Sequence, residues 1–229
     1  MRFFKLRRLM IMLSAVGVFC CFGCADLGDS DDAYGNPDDG NTYAVMAAGG
    51  KKWTTKNLNI ETGNSWCYDN KPANCAKYGR LYDWATVMGI GTAYNSNTWG
   101  NHDSIMAEDN VIRRHEICPD GGRLPSNRDW EDLIAAAGDS EEAGRKLKAA
   151  SGWKNNGNGT NSTGFSALPG GYRNVGGSYS HGGDYGGWWT ASEVDRNGAV
   201  YRYMDYGLDY VGWGKSDKRV GYSVRCVKE

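Results

Sequence analysis

The chain has no surplus of basic residues. It carries 26 Lys and Arg against 27 Asp and Glu over 229 residues. Four of the basic residues and no acidic one lie in residues 1–23, so the rest has 26 − 4 = 22 basic against 27 acidic residues. Nucleic-acid-binding domains show a basic footprint. Nucleic acid is therefore not an expected partner, and we expect the short basic groups Arg113-Arg114 and Lys146/Lys148 to be solvated surface charges.

Several catalytic motifs are missing as well. There is no Gly-x-Ser-x-Gly elbow and no phosphate-binding loop. None of the three histidines has a second histidine four residues later, so no zinc-binding helix is expected. His115 and Cys118 lie three residues apart, but a disulfide would remove the thiolate that a nucleophile needs. We expect no metal, no cofactor and no enzymatic activity, although hydrolysis of a glycan by paired carboxylates stays open as an alternative.

Phenylalanine and proline are scarce, with five residues of each, whereas glycine and tryptophan are abundant, with 33 and nine. Such a composition is typical of a protein rich in loops and turns, whose core is filled by Trp and Tyr. The aromatic content is too high for a disordered chain.

No apolar run is long enough to span a bilayer. Residues 9–22 are apolar and follow a short basic segment, which predicts a secretory signal peptide over residues 1–23. The signal peptide ends before Cys24 in a sequence that resembles a bacterial lipobox, although Cys21 and Phe22 replace the usual Leu and small residue. We expect Cys24 to be lipidated. The alternative is a secreted protein cleaved near Ala25.

The segment that follows contains six Asp, three Gly and one Pro between Asp26 and Asn41. It cannot bury much surface and repels itself, so residues 24–41 are expected to be a flexible tether. A globular domain should then occupy residues 42–229. This arrangement predicts a lipid-anchored protein of the bacterial cell envelope, at the outer membrane or cell surface, whose only contact with the membrane is the lipid.

Four cysteines remain outside the leader and the lipidation site: Cys67, Cys75, Cys118 and Cys226. An even number in an exported domain predicts two disulfides, and four cysteines allow three pairings. We favour a short local loop, Cys67–Cys75, and a long loop of about a hundred residues, Cys118–Cys226. Free thiols are the alternative.

The first half of the domain contains three predicted elements. Gly49-Gly50 lies between two strand-like runs, 43–46 and 52–55, and predicts a hairpin. A short helix is expected over Trp84–Met88. Residues 89–110 are polar and predict a long loop.

The middle of the domain predicts two helices. Ser126 and Asp129 resemble a capping box, and the helix that they begin should run to Ala137 and end at Gly138. Ser140 is expected to cap the second helix.

Strands should follow these helices. We expect them over residues 165–169, 187–194, 199–206 and 223–228, with the second and third joined across Asn197-Gly198. This order predicts an α+β fold: short helices packed on an antiparallel sheet, rich in loops and stapled by disulfides.

Seven segments, in order, resemble the Fibrobacter succinogenes major paralogous domain (FISUMP): Trp53…Asn57-Leu58-Asn59, Trp66-Cys67-Tyr68, the run 78–84, Cys118-Pro119…Arg123-Leu124-Pro125, the run 165–173, Trp188–Ser192 and Ser223–Lys228. The resemblance covers roughly residues 42–229. One departure is Gly122, where the family usually has an aromatic residue. The resemblance implies an exported bacterial module, often a lipoprotein, with no settled activity.

More distantly, the Arg-Leu-Pro turn and the Arg-Cys-Val ending resemble the C-type lectin-like fold, including its formylglycine-generating enzyme branch. That enzyme branch needs two reactive cysteines late in the chain, and none lies between Pro119 and Arg225. The motifs of calcium-dependent lectins are also incomplete here, because Glu108-Asp109-Asn110 lacks the proline and residues 189–193 lack the Asn-Asp pair.

The best candidate for a binding site is the run 179–188, which combines glycines with aromatic and polar side chains. Sugars have apolar C–H faces and hydroxylated edges, so they need both kinds of contact. The candidate ligand-binding residues on this run and on the long loop before it are Tyr179, His181, Asp184, Tyr185 and Trp188, with Trp99, His102 and Asp103. The alternative is that these aromatic residues fill the core.

We therefore expect a non-catalytic binding or adhesion module for polysaccharide or a surface protein. A polysaccharide-acting enzyme and a purely structural envelope protein are the alternatives.

Overall fold

The computed structural model describes residues 33–35, 42–99, 117–119 and 121–229. The predicted signal peptide, Cys24, His102, Asp103 and the Arg113-Arg114 pair lie outside the described residues. Within the part of the chain that is described, no helix has the length and apolar character needed to cross a membrane.

The secondary structure consists of short elements. The helices are α1 (Pro72–Tyr78), α2 (Trp84–Val87), α3 (Asn127–Ala136) and α4 (Ala143–Leu147), with 3-10 turns at Tyr68–Asn70 and Thr92–Asn95. The strands are β1 (Ala33–Gly35), β2 (Thr42–Ala48), β3 (Lys51–Thr54), β4 (Ser65–Trp66), β5 (Leu81–Tyr82), β6 (Tyr172–Arg173), β7 (Tyr179–Ser180), β8 (Tyr185–Asp195), β9 (Gly198–Asp205), β10 (Gly212–Asp217) and β11 (Val227–Lys228).

These strands form small antiparallel sheets, and together with the helices they confirm the α+β class. One sheet has four strands in the order β1-β2-β3-β11, and a second has three in the order β10-β9-β8. The strands β4 and β5 make one further pair, and β6 and β7 another. Strand β1 falls inside the segment predicted to be a flexible tether, where it pairs with the start of β2.

The predicted hairpin at Gly49-Gly50 is confirmed. Both glycines have a positive φ, 59° and 73°, and they join β2 to β3. A Cβ atom on Gly49 would lie 2.8 Å from the main-chain carbon of Asp132 in α3. The glycine therefore serves both the turn and the close approach of the hairpin to α3.

Helix α3 begins as predicted. Ser126 Oγ accepts a hydrogen bond from the Asp129 N–H (3.1 Å), and Asp129 Oδ2 accepts one from the Ser126 N–H (2.7 Å). Trp130 and Leu133 on its inner face are fully buried. The reciprocal caps satisfy two main-chain donors, which is why this helix could be located from sequence.

The second predicted helix is shorter than expected. It begins at Ala143 after Glu142, and Ser140 does not cap it.

Lys148, expected to be solvated, is only 1% exposed, and its Nζ donates to the main-chain carbonyls of Asp205 and Leu208. The sequence-based expectation for Lys148 was wrong because those carbonyls come from a loop that is distant in sequence.

The β8–β9 hairpin is confirmed, but its turn lies one residue earlier than predicted. Arg196 and Asn197 form the turn, and Gly198 already pairs with Asp195. Asp195 Oδ1 accepts hydrogen bonds from the N–H groups of Asn197 and Gly198 (3.0 and 2.9 Å). The aspartate thus sets the turn by satisfying two donors at once.

Two predicted strands are much shorter than expected. Residues 165–169 form only a single bridge, Lys148 to Ala167, because the chain turns at Ser166 (φ 56°). The carbonyl of Ser166 is hydrogen-bonded by the Arg225 guanidinium. Of the predicted last strand only Val227–Lys228 is regular, and Ser223 makes an isolated bridge to Trp188.

Two hydrophobic clusters lie on opposite sides of β8. Successive side chains in a strand point to opposite faces. Accordingly, Trp188 packs with Trp130, whereas Trp189 packs with Tyr222. Both tryptophans are fully buried, which explains how the core is built with so few aliphatic residues.

Both favoured disulfides are present. Cys67 is bonded to Cys75, and Cys118 is bonded to Cys226 at a separation of 108 residues. The second bridge connects the Arg-Leu-Pro turn to the end of the domain. There the N–H of Arg123 donates to the Val227 carbonyl, and the N–H of Val227 donates to the Arg123 carbonyl.

Candidate functional site

One face of the three-stranded sheet is covered by tyrosines. Tyr185 on β8 and Tyr201 and Tyr203 on β9 share this face, because β8 and β9 pair Gly187 with Tyr203 and Trp189 with Tyr201. Tyr172 from β6 and His181 from the loop before β8 pack against them. We call these five partly exposed residues the tyrosine face: Tyr172, His181, Tyr185, Tyr201 and Tyr203.

The rings of the tyrosine face contact one another in a row. The His181 ring is stacked on Tyr172, with centroids 5.6 Å apart, and Tyr172 lies 5.9 Å from Tyr185. Tyr185 is in turn stacked on Tyr203 at 5.4 Å. The row is therefore a continuous aromatic surface.

Two glycines on the edge strand make room for these rings. A Cβ atom on Gly212 would lie 2.2 Å from Cζ of Tyr203, and one on Gly214 would lie 2.9 Å from Cε1 of Tyr201. Neither position could carry a side chain without moving a ring. The alternation of glycine in β10 thus holds the tyrosines of β9 flat against the sheet.

Burial raises the pKa of two phenols of this face, Tyr185 and Tyr203. It raises the pKa of Tyr185 far above the usual value of a tyrosine, and the hydrogen bond with Tyr201 raises it further. Burial also raises the pKa of Tyr203. The face therefore offers apolar rings and uncharged hydroxyl groups, a combination that can stack on a ligand and exchange hydrogen bonds with it.

The loop at His181 adds polar groups beside the rings. His181 has a left-handed backbone (φ 62°), and its carbonyl accepts hydrogen bonds from the N–H groups of Asp184 and Tyr185. Nδ1 of His181 lies 3.2 Å from Oδ1 of Asp184, whose other oxygen is 3.9 Å from Nζ of Lys154. Such a backbone costs on the order of 1 kcal/mol and is commoner at ligand-binding sites than elsewhere.

The structure brings together three of the predicted candidates, His181, Asp184 and Tyr185. Tyr179 lies on the neighbouring strand, where its hydroxyl donates to Oδ1 of Asn70 (2.7 Å) and its ring packs on Tyr68. Trp188 does not reach this surface. It is fully buried, and its Nε1 donates to Oδ1 of Asn57 (2.9 Å), so it belongs to the core and leaves the candidate set.

Trp99 lies elsewhere. Its ring packs on Tyr94 at 4.9 Å, and its N–H donates to the carboxylate of Glu193. Glu193 is eight residues along β8 from Tyr185, about 25 Å in an extended strand. Trp99 and the run 179–185 therefore do not form one site, and His102 and Asp103 lie outside the described residues.

Sequence reasoning missed Tyr172, Tyr201 and Tyr203. A signal was present in the predicted strand 199–206, where Tyr201 and Tyr203 alternate with Arg202. Alternation places these two tyrosines on one face. Whether that face is open to a ligand depends on the pairing of β9 with Gly212 and Gly214 in β10. The sequence did not predict β10.

Metal-binding groups do not gather anywhere in the described part of the chain. Within it, no cluster of three or more His, Cys, Asp or Glu side chains could hold a metal ion.

Arg225 is fully buried, and its guanidinium donates to the main-chain carbonyls of Thr54 and Phe165 and to Oδ1 of Asn57. Burial lowers its pKa to about 9, so it remains charged at neutral pH and connects segments that are far apart in sequence.

A model of a known protein family, described as the Fibrobacter succinogenes major domain, matches residues 39–228. The match spans nearly all of the predicted globular domain, including both disulfides and the tyrosine face. Comparison with curated proteins and with solved structures found no match.

Proposed function

We propose that this chain, which belongs to the Fibrobacter succinogenes major domain family, is a non-catalytic binding module that recognises polysaccharide through the tyrosine face. The observation that carries the proposal is the continuous row of partly exposed rings from His181 through Tyr172 and Tyr185 to Tyr203. The proposal includes lipidation at Cys24 and a place at the outer membrane or cell surface. It also includes a C-type lectin-like arrangement of the domain.

The chemistry of the tyrosine face suits a sugar chain. The C–H face of a pyranose is apolar and gains from contact with an aromatic ring. Its hydroxyl groups need donors and acceptors, and neutral phenols supply both. Asp184 and His181 extend this supply at one end of the row, where the carboxylate accepts hydrogen bonds from sugar hydroxyls.

The site is also held in place before any ligand binds. The tyrosine rings are fixed by Gly212 and Gly214 and by one another, so little side-chain entropy is left to lose on binding. The two carboxylates at the Tyr185 end of this face already have partners: Asp184 faces His181 and Lys154, and Oδ1 of Asp205 accepts from the N–H of Gly207. Glycoside hydrolysis would ordinarily require two carboxyl groups on either side of a bond.

The test is depletion of the protein from solution by insoluble polysaccharides. The full chain in detergent is mixed with cellulose, xylan, mannan or chitin, and the unbound fraction is measured after centrifugation. We expect Tyr203→Ala to weaken binding to the preferred polymer about tenfold, the loss expected from about 1.4 kcal/mol of stacking energy. His181→Ala should weaken it to a smaller extent.

The control is Trp213→Ala. Trp213 is 62% exposed on the same sheet but pairs with Arg202, so it projects from the opposite face. This variant should bind like the unmodified protein. Equal losses for Trp213→Ala and Tyr203→Ala, or no retention on any polymer, would overturn the assignment of the tyrosine face. Capture of a surface protein instead would point to adhesion.

A further inference from the structure

A cleft of about 500 Å³ lies beside the Cys67–Cys75 disulfide, outside the tyrosine face. Its volume falls within the range of about 300–1,000 Å³ that is common for small-molecule sites. The lining residues that matter here are Asn59, Glu61, Trp66, Cys67, Cys75 and Arg80. An indole, a disulfide and polar side chains thus surround one opening.

The walls of the cleft are held rigidly. The guanidinium of Arg173 lies 4.1 Å from the centre of the Trp66 ring. Arg80 donates to Ser65 Oγ (3.1 Å) and to Glu61 Oε1 (2.9 Å), and its Nη1 lies 3.8–3.9 Å from both disulfide sulfurs. These contacts fix the indole and the charged groups before a ligand enters.

The cleft contains hydrogen-bond acceptors that a ligand can use. Oδ1 of Asn59 is buried and has no hydrogen-bond partner. The Glu61 side chain is 83% exposed, so its carboxylate is open to a ligand. Each nitrogen of the Arg80 guanidinium has one of these partners: Nε donates to Ser65, Nη2 to Glu61 and Nη1 to the sulfurs. A complementary ligand therefore brings hydroxyl donors together with an apolar surface for Trp66.

We propose that this cleft binds a single sugar ring of a neutral glycan, as a second subsite separate from the tyrosine face. The ring contacts Trp66, one hydroxyl donates to Glu61, and a small rotation of the Asn59 amide turns Oδ1 to accept another. The choice of sugar as the ligand class rests on the proposed function, whereas the site itself rests on the cleft and the unpaired oxygen.

The two subsites are connected through the loop at His181. The N–H of Gly182 donates to the hydroxyl of Tyr68 (3.0 Å), and the hydroxyl of Tyr179 donates to Oδ1 of Asn70 (2.7 Å), which lines the cleft. These hydrogen bonds join the segment that carries His181 to residues at the cleft.

The decisive variant is Asn59→Leu, because it gives opposite effects on stability and on binding. Replacing the Asn59 side chain, whose buried oxygen has no hydrogen-bond partner, with an apolar side chain of similar size removes the desolvation cost of that oxygen, so the melting temperature should rise by about 2–4 °C. The same change removes the acceptor that the sugar uses. Asn74→Leu is the matched control: Nδ2 of Asn74 donates to the Tyr68 carbonyl (2.8 Å), so its loss should lower the melting temperature.

Binding is measured with disaccharides, which are too short to need the whole tyrosine face. The full chain in detergent is titrated with cellobiose, xylobiose, mannobiose and diacetylchitobiose while the NMR signal of the Trp66 indole N–H is followed. We expect one of them to shift this signal, Asn59→Leu and Glu61→Gln to weaken that binding at least tenfold, and Tyr203→Ala to leave it unchanged.

The outcomes separate the cleft from the tyrosine face. If no disaccharide moves the Trp66 signal, or if Asn59→Leu binds as before, the cleft is not a sugar site, whatever polymer depletion shows for the face. A lower melting temperature for Asn59→Leu would make Asn59 a structural residue and would also overturn the proposal. If Tyr203→Ala loses polymer binding and still binds the disaccharide, the cleft and the tyrosine face are separate subsites, as proposed.

Discussion

The ammonium group of Lys218 forms an ion pair with the carboxylate of Glu193 in the interior of the protein, where the two side chains are 0% and 3% exposed. Nζ also donates to the main-chain carbonyls of Tyr94 and Asn97, and it lies 4.6 Å from the centre of the Trp84 ring. One buried cation therefore connects the loop that carries Trp99 to strand β8. The carbonyl of Arg196, 3.3 Å from Nζ, is a further acceptor.

Removing this cation should destabilise the protein strongly. Lys218→Met removes the cation that neutralises the Glu193 carboxylate and that donates to the main-chain carbonyls of Tyr94, Asn97 and Arg196, which should lower the free energy of unfolding by about 3–5 kcal/mol. Urea unfolding measures the change. The matched control is Lys215→Met, because Lys215 pairs with Asp195 at the surface, where both side chains are nearly half exposed.

For the exposed Lys215–Asp195 pair the expected loss is below about 1 kcal/mol. Adding Glu193→Gln to Lys218→Met should recover part of the stability, since it removes the negative charge that Lys218 no longer neutralises. Similar losses for Lys218→Met and Lys215→Met would mean that the buried pair is not an essential connection between the loop and the sheet.

The raised pKa of Tyr185 makes the stability of the protein depend on pH in the alkaline range. Burial raises the pKa of Tyr185 in the folded state, whereas an unfolded tyrosine has a pKa of about 10. Above pH 10 the unfolded state releases this proton and the folded state keeps it. The contribution of Tyr185 to stability is thus fully present below pH 10 and falls by about 1.4 kcal/mol for each further pH unit.

The variant that tests this dependence is Tyr185→Phe, followed by urea unfolding between pH 8 and pH 11. We expect it to flatten the decline above pH 10. The lowered pKa of Arg225 makes stability rise with pH between pH 9 and pH 12.5. Because Arg225 is present in both proteins, this contribution cancels when their curves are compared. Tyr206→Phe, at an exposed tyrosine, is the control. Parallel curves for Tyr185→Phe and the unmodified protein would show that the folded state does not raise the pKa of Tyr185.

The two disulfides should contribute unequally. In the chain-entropy model, closing a loop of about a hundred residues stabilises the folded state by about 4–5 kcal/mol, and closing one of eight or nine residues by about 2.5 kcal/mol. The separations here are 108 and eight residues. Unfolding in urea should therefore show a larger loss for Cys118→Ala/Cys226→Ala than for Cys67→Ala/Cys75→Ala. The reverse order would contradict the loop-length argument.

Local sequence signals located some elements well, for reasons that the structure makes plain. Ser126 and Asp129 are three residues apart and cap each other, so the start of α3 needs nothing from elsewhere in the chain. Gly49-Gly50 adopts a turn that other residues disfavour. In both cases the partners lie within a few residues of one another.

The expectations that failed involve partners far apart in sequence. Lys148 is buried because Asp205 and Leu208 supply carbonyls, and Ser166 turns away from a strand where Arg225 binds its carbonyl. Trp188 was expected at a ligand-binding surface, but its indole N–H is satisfied in the core by Asn57. A charged or aromatic side chain is assigned to the surface or the core only once its distant partners are known.

By itself the amino-acid sequence determined the family, the α+β class, the favoured cysteine pairs and the capped helix, because these depend on residue types, short spacings and ordered motifs. Only the tertiary structure decided that Tyr201 and Tyr203 lie over Gly212 and Gly214 beside Tyr185, and that a cleft opens next to Cys67 and Cys75. Those arrangements follow from strand register and from packing between distant segments, and no local pattern of residues specifies either.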